Sequence, residues 1–577
     1  MSQIIRINTQ TREYRVDTPS RELSALGGRG LTSKMVLDEV PPTCHPLGRL
    51  NRLIIAPGLL SGSPATNSGR LSVGAKSPMT GGIKESNSGG TVAQKLAKLG
   101  IKAVVLEDKP EPDTEFCVVV ITREGVTIQP GDAYAGMGTN RTIAALQEKY
   151  GKKAGVMCIG AAGEQRLSAA SIQSADPAGR PGRAAGRGGM GAVMGSKGIK
   201  AVVVDDTGAD KVTIADPDAF KTANRAWTKL ITDHPVSGQA LGEYGTAVLI
   251  NILNEAGALP TKNFRSGRFD HAGDISGEKM TGLMRQRKGI VKEGCHPGCV
   301  IKCSQCYTDE KGGVVTSGFE YETIWAFGAH AMIKDLDAIA QMDAICDDVG
   351  LDTIDTGVTI GLAMEAGIID WGDANGAIEL LKKVGTSDAM GRIIGSGAAF
   401  AGQAFGIDRV PTVKKQAIPA YDPRAVKGVG ITYATTPQGA DHTAGYAVTA
   451  NILGVGGTID PLKPEGQVDL SKNLQIATAA IDATGLCLFV AFPVLDDENG
   501  VPLIVDLINA RYGISLTPDD VVKLGISILE NENEFNLRAG FTPKDDRLPE
   551  MFRENFAPHD VTWDFTEEEL QKAKTFG

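Results

Sequence analysis

The stretch Gly294-Cys295-His296-Pro297-Gly298-Cys299-Val300-Ile301-Lys302-Cys303-Ser304-Gln305-Cys306 gathers four of the chain's nine cysteines into one short run. Thiolates this closely spaced can wrap a single metal centre, as iron–sulfur clusters and structural zinc sites require. A disulfide pair is the competing reading. It needs an oxidising compartment, and residues 1–6 show no apolar leader, so a cytoplasmic protein with a metal-holding run is expected. Away from this run the sequence divides. It is β-rich before residue 205 and helical after it.

Composition narrows the function classes. A chain of 577 residues is expected to form three or four domains at about 150 residues each. Its 42% hydrophobic and 22% charged content is that of a globular protein with a large core. A formal charge of −10 and short basic clusters exclude a nucleic-acid binder, and 5% aromatic content gives no base-stacking surface. No uncharged stretch of about 18 residues is present, so no membrane span is expected. The outlier is glycine. Its 71 residues are about 12% of the chain against a usual ~7%, which implies tight turns or backbone held close to something large.

Short apolar runs bounded by turn residues predict strands at 4–8, 14–17, 52–56, 103–107, 117–122, 155–159 and 201–204. Three- and four-residue apolar spacing predicts helices at 216–231, 320–347, 353–369 and 469–484. The predicted fold class is α+β: a β-rich N-terminal cofactor-binding domain (1–207), then two mainly helical domains (208–410 and 411–577), with the cofactor at their interface. One frame occurs twice, Asp347-Asp348-Val349-Gly350-Leu351-Asp352 and Asp482-Ala483-Thr484-Gly485-Leu486-Cys487. Each copy follows a long helix, so each glycine is a candidate left-handed helix cap. The second copy ends on a cysteine where the first has aspartate. Cys487 is thereby a candidate fourth ligand for the run that begins at Cys295.

These motifs, in this order, resemble the tungsten-dependent aldehyde ferredoxin oxidoreductases, over essentially the whole chain. The resemblance is carried by Ser68-Gly69-Arg70 with Ala75-Lys76-Ser77-Pro78-Met79-Thr80-Gly81, by Ser86-Asn87-Ser88-Gly89-Gly90, and by the stretch from Ala185-Gly186-Arg187-Gly188-Gly189-Met190-Gly191 to Lys197. Phe319-Glu320-Tyr321-Glu322-Thr323 and the two Asp-x-x-Gly-Leu frames complete it. It implies a tungsten or molybdenum ion held by two pterin dithiolenes beside one [4Fe–4S] cluster. Cys295, Cys299, Cys303 and Cys487 are the implied cluster ligands. The first interval is one residue longer than the family's Cys-x-x-Cys, and Cys306 is an alternative ligand. A zinc site of four cysteines is the rival metal reading.

The same resemblance assigns further residues. Arg70 and Arg187 have the fork that suits phosphate oxygens, and Gly89, Gly186 and Gly188 admit close backbone approach. Backbone carbonyls of Asn87 and Ala185 are the implied ligands of a Mg²⁺ between the pterin phosphates. Asp347, Asp352 and Asp482 are expected to accept from pterin N–H groups, with Leu351 and Leu486 against the rings. Glu322 and His442 are the implied catalytic pair, Glu322 as base and His442 as hydrogen-bond donor, with Glu320 and Asp441 beside them. His296 is expected to bond near the cluster, and His330 to be a core histidine. The expected reaction is oxidation of a small aldehyde with water to a carboxylic acid. Electrons leave to ferredoxin or an iron–sulfur partner subunit, and a homodimer is compatible with the sequence. Two alternatives use the same residues: a low-potential reductase subunit acting on a carboxylate or aromatic thioester, and an iron–sulfur electron-transfer subunit.

Overall fold

Two six-stranded sheets fill the N-terminal third of the chain. The computed structural model describes residues 2–112 and 114–576. The first sheet holds β1 (Gln3–Asn8), β2 (Glu13–Asp17), β3 (Leu53–Pro57), β4 (Leu71–Lys76), β5 (Ile83–Ser88) and β6 (Ile101–Glu107), in the order β2-β1-β6-β3-β4-β5. The second holds β7 (Cys117–Thr122), β8 (Gly125–Pro130), β9 (Gly155–Cys158), β10 (Ile172–Ser174), β11 (Arg183–Ala185) and β12 (Ile199–Val204), in the order β11-β10-β9-β12-β7-β8.

Side chains alternate along each strand, and that alternation builds four layers. Ile54 and Ala56 pack under Leu31, Met35 and Val36 of the helix Gly28–Glu39. Their neighbours Leu53 and Ile55 point the other way, into a core shared with Val202 and Val204 of the second sheet. That sheet's outer face, Val118, Val120 and Val203, packs on Ile143 and Leu146 of the helix Thr139–Tyr150. Sheets covered on both faces explain the continuous apolar runs.

The rest of the chain is mainly helical around one large core. A small antiparallel sheet (Ile290–Glu293, Ser304–Thr308, Val314–Ser317) carries the cysteine loop between its first two strands. The expected helices appear as Pro217–Asp233, Thr353–Glu365 and Gln467–Thr484. The expected helix at 320–347 is instead two helices, Tyr321–Phe327 and Leu336–Val349. Gly328 leaves helical geometry, and Asp335 starts the next helix by accepting from the Asp337 and Ala338 amides. Strands β4, β5, β8, β10 and β11 were not anticipated from the sequence. β5 and β11 contain Ser86–Ser88 and Ala185, residues read as glycine-loop motifs.

Both repeated frames dock on the sheets in the same way. Gly350 and Gly485 cap their helices in the left-handed region, at φ 80° and 81°. At the first turn the Ser171 amide donates to the Gly350 carbonyl and the Asp352 amide to the Ala169 carbonyl, each at 2.9 Å. At the second, the Leu59 and Leu60 amides donate to the carbonyls of Ala483 and Thr484, at 3.1 and 2.8 Å. Glycines allow this approach. A Cβ on Gly58 would lie 2.1 Å from the Gly485 nitrogen, and one on Gly160 would lie 2.2 Å from the Val349 oxygen. The edge strands β5 and β11 meet where Ser88 Oγ donates to the Arg183 carbonyl at 2.7 Å. A cavity lies between these edges and the two helix ends.

Candidate active site and metal centre

Four cysteines converge at one end of this cavity. Cys295, Cys303 and Cys487 are buried, and Cys299 is half-buried. The Cys295 and Cys299 sulfurs lie within 4.8 Å of each other, and the Cys299 thiol beside it holds the Cys295 thiol well below its ordinary pKa. The nearby Cys295, then burial, raises Cys299, whose neighbours include Cys303 and Cys487. Burial, with Cys295 nearby, pushes Cys487 up to about 11. Packed sulfurs that resist carrying several negative charges at once are matched to a polycationic group. All nine cysteines are free. Cys306 stands apart on the strand Ser304–Thr308, where its charged neighbours are Arg180, Glu293 and Asp176.

Asn67, absent from the sequence reading, joins the two cysteine segments. Buried and held at φ 61°, it accepts from the Val300 amide at 3.0 Å through its side chain and from the Cys487 amide at 2.9 Å through its carbonyl. Its Nδ2 also donates to Cys299 Sγ at 3.7 Å. His296 is buried, with Nδ1 near the Pro297 carbonyl and Nε2 unpartnered. Its ring nitrogen lies within 4.8 Å of the Cys295 and Cys299 sulfurs.

The adjoining cavity, about 370 Å³, is lined by Arg70, Asn87, Gly89, Gly186, Arg187, Glu322, Asp347, Leu351, Asp352, His442 and Asp482 among others. Arg70 Nε donates to Asn87 Oδ1, and the guanidinium faces Cys295, Cys487 and Asp482. A Cβ on Gly89 would press between Arg70 Nη1 (3.2 Å) and Cys295 Sγ (3.4 Å). Arg187 is more committed than a free phosphate fork. It donates to Asp352 at 3.1 Å and to the carbonyls of Ala440 and Ala417, both at 2.7 Å. Asp352 also caps the helix Thr353–Glu365 through the Ile354 amide. Asp347 and Asp482 face the cavity with few partners, Gln173 at 3.2 Å and Arg29 at 3.3 Å. Burial raises their pKa values to about 7 and about 6. Ala185 and Leu486 are fully buried just behind this lining.

Several lining residues lay outside the sequence reading. Arg183 faces the cavity with its Nε unpartnered, near Glu320 Oε1 at 3.9 Å. Asp343 sits one helical turn before Asp347. Arg29 is clamped by Glu532 through two 2.8 Å bonds. Gly27-Gly28-Arg29-Gly30 repeats the glycine–arginine signature of the quoted motifs and could have flagged Arg29. Unpaired donors, buried carboxyls and glycine-lined walls suit a large, flat, donor-rich anion, so the cavity fits a pterin-type group.

Glu322 and His442 lie together, with Oε1 and Nε2 at 3.4 Å. Glu322 Oε2 accepts from the Ala420 amide at 3.0 Å. Burial raises the Glu322 carboxyl to about 8 and depresses His442 to about 4. At neutral pH the pair is therefore an uncharged acid beside an uncharged imidazole. His442 Nδ1 has no partner, and its ring packs 5.8 Å from Tyr421. Lys84 bonds Asp441 at 2.6 Å and holds that carboxyl well below the usual range despite its burial. His330 is a core histidine, lowered to about 4 by burial and packed on Phe264 and Trp325.

Residues 4–206 match the family model for the aldehyde ferredoxin oxidoreductase N-terminal domain, and residues 222–573 match that for domains 2 and 3. The chain belongs to this oxidoreductase family. It is 36% identical to the tungsten-containing aldehyde ferredoxin oxidoreductase of Pyrococcus furiosus and 37% identical to that of Thermococcus kodakarensis, in each case over 96% of this chain and 91% of the relative. Its fold is similar to the BamBC active-site complex of benzoyl coenzyme A reductase bound to 1,5-dienoyl-CoA. That likeness has a TM-score of 0.80 at 21% identity, covering 99% of this chain and 93% of the other. Among the described residues, no helix is long and apolar enough to cross a membrane.

Proposed function

We propose that the chain oxidises an aldehyde with water to a carboxylic acid at a tungsten or molybdenum bis-pterin centre. A [4Fe–4S] cluster held by the chain would supply the electron exit towards ferredoxin or a partner subunit. One observation carries this reading: Cys487, remote in sequence, joins the 295–303 cysteines at the wall of a cavity that both Asp-x-x-Gly-Leu turns enter. Cys295, Cys299, Cys303 and Cys487 would hold the cluster. Arg70, Gly89, Arg187, Asp347, Leu351, Asp352, Asp482 and Leu486 would hold the pterins, with Asn87 and Ala185 carbonyls on a Mg²⁺. Bound there, the metal–pterin group supplies two-electron redox chemistry and the cluster supplies one-electron exit.

The chain's own residues then position and move protons. A carboxyl titrating near 8 leaves a minority of Glu322 ionised at neutral pH, and in that ionised form Glu322 takes a proton from the attacking water. His442 stays uncharged down to about pH 4 and donates a hydrogen bond to the substrate oxygen. Burial of the pair excludes bulk water and strengthens both interactions.

The alternative, a low-potential reductase subunit of a larger complex, is compatible with the fold shared with the benzoyl coenzyme A reductase complex. The 36–37% identity to aldehyde oxidoreductases favours oxidation. Anaerobically purified protein is expected to reduce a viologen dye when supplied with aldehyde. Dye-dependent turnover of a carboxylate or thioester alone, requiring added subunits, would favour the alternative.

A further inference from the structure

A second, smaller pocket opens beside the active-site cavity and shares three of its walls, Tyr446, Leu488 and Phe489. No charged side chain lines it. Two of its three hydroxyls are engaged elsewhere: the Tyr446 hydroxyl bonds Tyr421 at 2.9 Å, and the Thr449 hydroxyl bonds the Tyr446 carbonyl at 2.9 Å; the third belongs to Thr478. Phe489 stacks on Phe492 with centroids 5.9 Å apart, and Phe492 meets the Tyr446 ring edge-on at 6.4 Å. Tyr446 in turn lies 6.2 Å from the His442 ring. A group held at Glu322 and His442 therefore has a carbon-walled recess next to it.

We propose that this pocket binds the apolar end of the substrate and selects aldehydes with a short, uncharged alkyl chain. The reaction assumed rests on the proposed function; the pocket and its preference for alkyl carbon do not. Size sets the class. The pocket measures about 30 Å³, about a fifth of the roughly 150 Å³ of a benzene-binding cavity, which leaves room for about one methyl-sized group. The terminal carbon of a short alkyl chain fits, while a phenyl ring does not. A charged tail would lose its hydration with no partner in return.

The test measures kcat/KM of the holoenzyme for acetaldehyde, butanal, phenylacetaldehyde and 4-oxobutanoate. Butanal is expected to exceed acetaldehyde by about tenfold or more, the usual discrimination by an added methylene in an apolar pocket. The carboxylate-tailed substrate is expected to be the poorest. Ala477 lies on the pocket wall, and Ala477→Met, which fills the pocket, should raise KM for butanal more than for acetaldehyde and so remove the advantage of butanal. Leu474→Ala, which enlarges it, should raise phenylacetaldehyde relative to butanal; Leu474→Val replaces it if the alanine variant fails to fold. Equal effects of these variants on every substrate would overturn the proposal. Calorimetric titration of the holoenzyme with alkanoates from acetate to pentanoate separates the two claims. If no aldehyde turns over, the reaction reading fails. Affinity that rises with chain length and is flattened by Ala477→Met still upholds the pocket, and affinity flat from the start overturns it.

Discussion

The proton inventory of the Glu322–His442 pair follows from burial acting in opposite senses on an acid and a base. Burial disfavours charge, so the carboxyl rises and the imidazole falls. Glu322→Gln is expected to lower turnover about 10²-fold or more with metal content unchanged, the range for a lost general base. Turnover in the native protein should rise with pH through about 8, as the carboxylate forms, and that limb should vanish in the Gln variant. Infrared spectra should show the protonated carboxyl at pH 7. The stability signs are opposite. The raised Glu322 contributes fully below its unfolded value, and its contribution fades as pH climbs towards about 8. The depressed His442 contributes above its unfolded value, and its contribution fades as pH falls from 6.5 towards about 4. The residue types of this pair were legible in the sequence. Their protonation was not, because it depends on the Ala420 amide and on surrounding burial contributed by distant segments.

At the scale of elements, the two helix-terminating turns are docked by glycines, and each turn can be disturbed alone. Gly160→Ala would force apart the Gly160–Val349 contact and loosen the turn after Asp347, a segment that carries none of the four candidate cluster cysteines. Pterin and its metal are expected to fall while iron is retained. Gly58→Ala would strike the Gly485 turn, which leads into Cys487, so iron should fall as well. Each change is expected to cost about 1–3 kcal/mol of stability, as overpacking does, read from the shift in unfolding midpoint. The repeated frame and its glycine caps were visible in sequence because a helix end has a local signature. The break between Tyr321–Phe327 and Leu336–Val349 was hidden, since residues 328–335 keep apolar spacing while Gly328 and the Asp335 cap interrupt the helix. Strands β5 and β11 were hidden because their residues are mostly small or polar and glycines flank both at the cavity edge.

Across the whole molecule, buried ion pairs tie the N-terminal sheets to the C-terminal helices. Arg29 links Glu532 and Asp482 across more than 450 positions of sequence, and Gln438 and Ser33 complete the ring around Glu532. Arg29→Met is expected to cost about 3–5 kcal/mol, because it strands a buried carboxylate, and to lower the unfolding midpoint accordingly. The glycines around Arg29 mark that residue, but no local pattern announces its partner Glu532. Long-range convergence is also what the cysteine spacing alone left open, since Cys306 and Cys487 were both available to complete the set. The most direct test is iron and tungsten or molybdenum per chain in anaerobically purified protein, comparing native, Cys487→Ser and Cys306→Ser. About four irons and about one heavy metal are expected in the native and Cys306→Ser proteins, with iron lost or reduced in Cys487→Ser. Full iron in Cys487→Ser together with its loss in Cys306→Ser would contradict the account.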